Sequence, residues 1–442
     1  MKKKPLTTVL SISLASVLAL SACGSENEDA SADESGDGAS DREDVTLDFM
    51  HLWPQGSSAD HNRIVNQIIE EFEADHPHVT VELEVLENEQ YKNKLQVISS
   101  SNQLPDVGMT WPAGFLEPYV NGELFTPLDD LLDDGLRDEF VAGTVEAYEM
   151  DGHSYALPLE LNIAPVFYNK AIFEEHGLDV PETYDDFLHI VDTLVENDVT
   201  PIALGNRDRW TGSLWYMYLA DRIGGADALN SAIDRSGSFE DDRLIEAASS
   251  IQDLIERDAF IRGYNGLTDQ EAKSEFMNSN AAMYLIGSWD LPNFTTNEEI
   301  PQEFRDNVGF FKFPTVEGGE GDINSWVGGP GVGLFVAENS DVKEEAKEFV
   351  QFFIEEWGKH SVEDAGVIPG TQVNTDEVDL PDLFIDVLDE LNNASDITLF
   401  ADVQMSADVA ETHLNMIQSL FGNEATPETF AEEHEKALSE EE

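Results

Sequence analysis

The sequence predicts an α/β protein of two doubly wound lobes, and three observations carry that expectation. About 420 of the 442 residues follow an N-terminal targeting segment, more than one hydrophobic core usually serves. Strand and helix patterns alternate over residues 45–111 in the order that builds parallel βαβ units. Residues 155–170 then place two apolar, extended runs on either side of one acid, Glu160. That pattern suits a chain passing from one lobe to the next. On periodicity alone, a single buried strand that contains a Glu fits the stretch equally well.

The elements follow in order. Residues 45–53 read as a first strand, ended by Pro54-Gln55-Gly56. Ile64, Ile68, Ile69 and Phe72 recur at helical spacing within 62–73, and Val79, Val81, Leu83 and Val85 alternate as a strand does. Residues 91–100 read as a second helix and 104–111 as a third, short strand. Ligands of such sheets sit beyond the carboxyl ends of the strands, where Trp53 and Trp111 fall. After the central stretch, 183–196 reads as a helix, 200–205 as a strand, and 206–210 as a loop ending in Trp210. Helices are expected around 214–223 and 244–255, and strands over 281–289, ending in Trp289, and 308–314. Trp326 opens a glycine-rich run that leads into a strand at 334–337, followed by an amphipathic helix over 342–357. From Leu380 onward the remainder reads as helical.

The N-terminus has its own logic. Lys2, Lys3 and Lys4 precede a short apolar stretch, and Leu20-Ser21-Ala22-Cys23 resembles a bacterial lipobox, with residues 1–22 removed and Cys23 lipidated. The apolar stretch is too short for a permanent membrane helix. Cys23 is the single cysteine, so the mature chain is expected to have no disulfide and no thiolate metal ligand. Residues 23–44 are Ser, Gly, Asp and Glu with almost nothing apolar, and read as a disordered acidic tether.

The formal charge of −68 is spread along the chain. It argues against nucleic acid and anionic membrane surfaces as partners. Adaptation to high salt accounts for it most simply, since at about 1 M salt the Debye length falls to ~3 Å and self-repulsion is screened. A calcium-binding surface would need D-x-D-x-D-G loops, and none occurs. Nor does any G-x-S-x-G, H-E-x-x-H or Walker-type glycine loop. The ten histidines are scattered, with His51 and His61 near the end of the first strand, so neither a metal nor a cofactor is expected. What recurs is tryptophan at strand ends and in loops, and an indole face stacks well on the C–H face of a pyranose. Trp215 and Trp357 lie on amphipathic helices and read as core.

Taken together, several ordered motifs resemble the family 1 extracellular solute-binding proteins, the maltose-binding-protein-like receptors of bacterial ABC carbohydrate importers. They include Leu104-Pro-Asp-Val107, Gly122-Glu-Leu-Phe-Thr-Pro-Leu-Asp129, Gly152-His-Ser-Tyr-Ala-Leu-Pro158, Tyr168-Asn-Lys170, Pro181-Glu-Thr-Tyr-Asp-Asp-Phe187 and Gly287-Ser-Trp289. The resemblance implies a type II periplasmic-binding-protein-like clamp. Its first lobe would be 45–159 with 334–365, its second 160–333 with 366–442, and its C-terminal helices would serve both. Glycines at the second crossing would act as a hinge.

By position, the resemblance assigns sugar stacking to Trp111 and Trp289 and hydroxyl binding to Glu160. It places Asn206 and Trp210 in a contacting loop, Trp53 and Gln55 beside the first strand, and Trp326 more loosely. The implied function is a lipid-anchored, monomeric receptor on the extracellular face of the membrane. It would take an oligosaccharide to ABC permease subunits and perform no catalysis. A secreted carbohydrate-active enzyme and a receptor for a non-sugar solute such as a polyamine are the alternatives.

Overall fold

A computed structural model describes residues 43–133, 135–373 and 380–441. The targeting segment, the lipidation site Cys23 and all of the 23–44 tether except its last two residues lie outside the described residues.

The first βαβαβ run forms as its pattern dictates. Val45–His51 pairs in parallel with Val79–Val85 and with Val107–Thr110, so Phe49 stands beside both Leu83 and Val107. Gly333–Val336 and Leu157–Pro158 complete a five-stranded sheet, added antiparallel one after the other. Helix Ala59–Asp75 turns Ile64, Val65, Ile68 and Phe72 to the core, and helix Lys343–His360 turns Phe349 and Phe353 to it. Both of those phenylalanine rings meet Phe49 edge-on, at 5.3 and 5.7 Å between centroids.

A second hydrophobic core forms around a four-stranded sheet of Val308–Phe311, Val166–Asn169, Met283–Leu285 and Ile202–Ala203. Helix Trp210–Gly224 runs through it and is buried along almost its whole length. That is why its sequence is apolar all round rather than on one stripe. Helix Tyr184–Glu196 begins with a capping box, in which Thr183 and Asp186 satisfy each other's backbone N–H groups.

Residues 157–169 serve three sheets in thirteen positions: Leu157–Pro158 in the first, Leu161–Ile163 in a small three-stranded sheet, and Val166–Asn169 in the four-stranded one. The chain returns alongside, through Ser325–Pro330 and then Gly333–Val336. A third passage follows at the π-helical turn Ser361–Ala365. These passages are stitched together at Glu160. Gly331 N–H donates to Glu160 O at 2.9 Å, Gly370 N–H to Leu159 O at 2.9 Å, and Leu161 N–H to Ile368 O at 3.2 Å. A Cβ on Gly331 would come within 2.6 Å of Asn162 Nδ2, so glycine is needed there for close approach. Gly329, at φ +124°, needs its conformational freedom instead.

Two expectations are corrected. Trp326 lies in strand Ser325–Pro330 rather than in a loop, and Asp396–Leu399, expected to be helical, is a strand paired in parallel with it. Helices Ala113–Asn121, Lys170–His176, Ala226–Ile233 and Asp269–Met277 were not anticipated. All four are short, and two or three turns give little periodicity to detect.

Candidate functional site

Between the two cores lies a cleft of about 430 Å³ lined from both, within the size range of small-ligand sites. One wall is built beyond the end of Val107–Thr110. The half-buried ring of Trp111 is held edge-on by Phe115 at 4.9 Å, and the Lys92 ammonium stands 4.8 Å from its centroid. Such a cation–π contact steadies an aromatic platform.

The facing wall is aromatic too. Trp289, in the tight turn that follows strand Met283–Leu285, meets Trp210 at 6.0 Å and Phe400 at 5.7 Å, both edge-to-face. Edge-on neighbours leave an indole face open to stack on a ligand. Trp210 opens its helix, and that helix is pinned from behind by a buried chain of hydrogen bonds. His434 Nδ1 lies 2.6 Å from Phe430 O, His434 Nε2 2.9 Å from His413 Nδ1, and His413 Nε2 2.7 Å from Ser213 Oγ. A carbonyl only accepts, so His434 donates from Nδ1, His413 donates from Nδ1, and Ser213 donates its hydroxyl. Burial pushes both imidazoles down, His434 to about 4 and His413 well below its usual value, which keeps both rings neutral.

At the crossing, Glu160 is 4% exposed and lines the cleft. Its Oε1 lies 3.2 Å from His61 Nε2 and its Oε2 accepts from Asn162 Nδ2 at 3.4 Å. Deeper in the second core, helix Asp269–Met277 brings Lys273 into the lining, with Nζ 2.6 Å from Asp290 Oδ1. Asp269, beside them, is hydrogen-bonded by the Tyr284 hydroxyl. Burial raises the Asp269 carboxyl to about 6, against the pull of the Lys273 ammonium. For Lys273, burial disfavours the charge, but Asp290 and Asp269 outweigh it and hold the ammonium above its ordinary value.

Of the residues singled out from sequence, Trp53, Trp111, Glu160, Trp210 and Trp289 line this cleft. Trp53 does so without a free face. It stacks on Trp357 at 4.7 Å with the planes 3° apart, and His61 lies against it at 4.9 Å. Trp357, expected in the core, is there, and donates Nε1–H to Leu159 O.

Three residues are not brought to the cleft. Gln55 is exposed on the turn after the first strand. Asn206 is fully buried and serves its own loop, receiving Gly212 N–H at 3.2 Å and donating to Asn265 Oδ1 at 2.7 Å. Trp326 is 1% exposed inside the second core, because its strand is the central one of three.

Sequence reasoning missed Lys273, Asp290, Lys92, Phe400 and Asp402, all of which line the cleft. One signal was present. Thr268-x-x-Glu271 is a capping box and marks the start of the helix that carries Lys273.

Fold and cleft together define a two-lobed α/β binding protein of the periplasmic type II kind. A family model described as bacterial extracellular solute-binding protein matches residues 55–358, and the chain belongs to that family. The "Multiple sugar-binding protein" of Streptococcus mutans is 25% identical over 299 residues, 65% of this chain and 67% of that protein. The chain spans 55 to 67% of the length of the first curated relatives it matches.

Among solved structures, one described under xylan utilization by the thermophilic bacterium Caldanaerobius polysaccharolyticus superposes with a TM-score of 0.84 at 29% identity. It covers 89% of this chain and 100% of its own. A chitin oligosaccharide binding protein superposes at 0.83 with 24% identity, covering 90% and 98%. The family, the Streptococcus mutans relative and the chitin oligosaccharide protein are binding proteins rather than enzymes. No helix of the described residues is long and apolar enough to cross a membrane.

Proposed function

We propose that this chain is an extracellular receptor that binds an oligosaccharide between its two lobes and hands it to an ABC importer permease. The lobes of this reading are 45–159 with 334–365, and 160–333 with 366–442. It acts as a monomer held to the membrane through a lipid on Cys23. The observation that carries the reading is the pairing of aromatic walls. Trp111, which follows a strand of the first sheet and packs against both cores, lines the cleft together with Trp289 and Trp210, which pack against the second core. Stacking surfaces on opposite walls suit a ligand with more than one pyranose ring. The sugar-binding names among the relatives support the same class of ligand.

One observation favours a second reading. A polyamine needs carboxylates, and the cleft offers them as well as tryptophans: Glu89, Asp208, Asp269, Asp290 and Asp402 all contribute to its lining. One titration separates the two. Tryptophan fluorescence of the protein in high salt is followed against xylo-, cello-, chito- and maltotriose, xylose, glucose and spermidine, with each sugar checked for breakdown. A saturable change with an intact trisaccharide, abolished in Trp289→Ala, is the expected result. Saturation by spermidine alone would move the assignment to cationic solutes, and tight binding of a monosaccharide alone would remove the oligosaccharide.

A further inference from the structure

Several carboxylates sit in the cleft with cations or donors against them, among them Glu160, Asp208, Asp269 and Asp290, and Asp290 is half-used. Asp290 Oδ1 accepts from Lys273 Nζ at 2.6 Å and from Asn293 Nδ2 at 3.2 Å. Asp290 Oδ2 is buried and has no hydrogen-bond partner among the described residues, and it is the one carboxylate oxygen there of which this is true. The side chains of Asp290 and Lys273 are 4% and 5% exposed, and both residues line the cleft. A buried acceptor left unsatisfied is costly, and more so when it is charged. The folded protein carries that cost beside its principal stacking residue, since Asp290 directly follows Trp289.

A sugar ring stacked on an indole directs its hydroxyls outward in the plane of the ring, toward groups at the platform's edge. A hydroxyl can donate and accept at once, and an ammonium has three donors, of which Lys273 directs one at Asp290. The lysine and aspartate are joined in the lining of the cleft, so an acceptor and a donor lie side by side there.

We infer that Asp290 and Lys273 read two adjacent hydroxyls of the bound sugar, one donating to Asp290 Oδ2 and its neighbour accepting from Lys273 Nζ. The pair thereby selects sugars with an unsubstituted vicinal diol at that ring. This rests on the oligosaccharide reading above and names the feature of the ligand that the site recognises. A uronate carboxylate in the same position would face Asp290 with like charge and is rejected.

The test begins with calorimetric titration of the whole protein against xylo-, cello-, chito- and maltotriose. Monodeoxy analogues of the tightest binder follow. Two adjacent deoxygenations on one ring are expected each to weaken binding at least about tenfold, the size expected when a hydrogen bond to a charged group is lost. Asp290→Asn should do the same to the parent sugar. That variant leaves Lys273 buried beside an uncharged partner, so the double variant Asp290→Leu/Lys273→Met, which replaces the pair with apolar groups of similar size, is measured too. It should fold and bind at least tenfold more weakly.

Deoxy sugars and both variants binding within twofold of the parent would overturn the diol assignment and leave the receptor reading standing. So would two sensitive positions that are not adjacent. A wild-type protein that binds none of the four trisaccharides would overturn the oligosaccharide reading itself.

Discussion

The second core holds two buried cation–carboxylate pairs, and they are finished differently. Arg222 is buried beside Asp221. Its Nε donates to Phe313 O at 3.0 Å and its Nη2 to Ser325 O at 2.9 Å. Both oxygens of Asp221 are engaged, one by Arg222 Nη1 and the other by Ser325 Oγ at 2.6 Å. Lys273 and Asp290 are as deeply buried, yet one Asp290 oxygen has no partner among the described residues. A closed network fixes the joint between helix Trp210–Gly224 and strand Ser325–Pro330. An open one, at the edge of a cleft, has capacity left for a ligand. Burial of charge is common to both pairs. Satisfaction of the charge is what separates the two.

The largest effect should come from breaking the closed pair. Arg222→Ala leaves Asp221 buried without its cation and is expected to cost about 3–5 kcal/mol of stability. Denaturant unfolding would show this, while the molecules that remain folded bind ligand as before. If affinity fell with no change in unfolding, the structural role of this pair would be wrong.

The tryptophans repeat the contrast. Trp326→Ala empties a core position and should lower stability by about 3–5 kcal/mol. Trp289→Ala removes a cleft wall and should act mainly on binding, with a loss of tenfold or more set against a small change in melting temperature. Trp53→Ala belongs with Trp326, because its partner in stacking is Trp357 rather than a ligand. A calorimetric titration beside a melting curve for each variant sorts them.

Acid should act through the neutral histidine chain. Folded His434 and His413 have lowered pKa values, so the unfolded chain takes up protons that the folded one refuses. Stability that is complete above the ordinary histidine pKa of about 6.5 should therefore fall as pH drops toward 4. Asp269 works in the opposite sense. Its carboxyl is raised to about 6, so its contribution is present at low pH and lost as pH rises through 6. Unfolding curves from pH 7 to pH 4.5 should show net loss in the wild type and a shallower loss in His434→Phe.

The smallest and most diffuse effect is ionic. With a formal charge of −68, reducing salt from 1 M to 0.1 M lengthens the Debye length from ~3 to ~10 Å. The melting temperature should drop without any change in which ligand is preferred.

Much of this architecture was legible because it rests on short-range chemistry. Alternation at Val79, Val81, Leu83 and Val85 and the helical spacing of Ile64, Ile68 and Phe72 each carry their meaning locally. So does the position of Trp111 directly after strand Val107–Thr110, whereas Trp289, expected at a strand end, lies in the turn Ser288–Asp290 beyond strand Met283–Leu285. The illegible parts share one cause. Whether a tryptophan faces a cleft or a core depends on what lies opposite it, and for Trp326 that is strand Asp396–Leu399, some seventy residues onward. Asn206 looked like a ligand group and instead holds its loop through Asn265. Lys273 sat in a helix announced only by its capping box, and its partner Asp290 was hidden behind the more conspicuous Trp289.

By itself, then, the sequence determined the order of the first βαβαβ run and of several later helices, and it supplied the tryptophans that line the cleft. Those follow from periodicity, turn chemistry and residue type, which act over a few positions. Only the tertiary structure decided which aromatic faces stay open and which buried charges are satisfied. Both depend on neighbours that the chain brings together from far apart, and hydrogen-bond capacity can be counted only once those neighbours are in place.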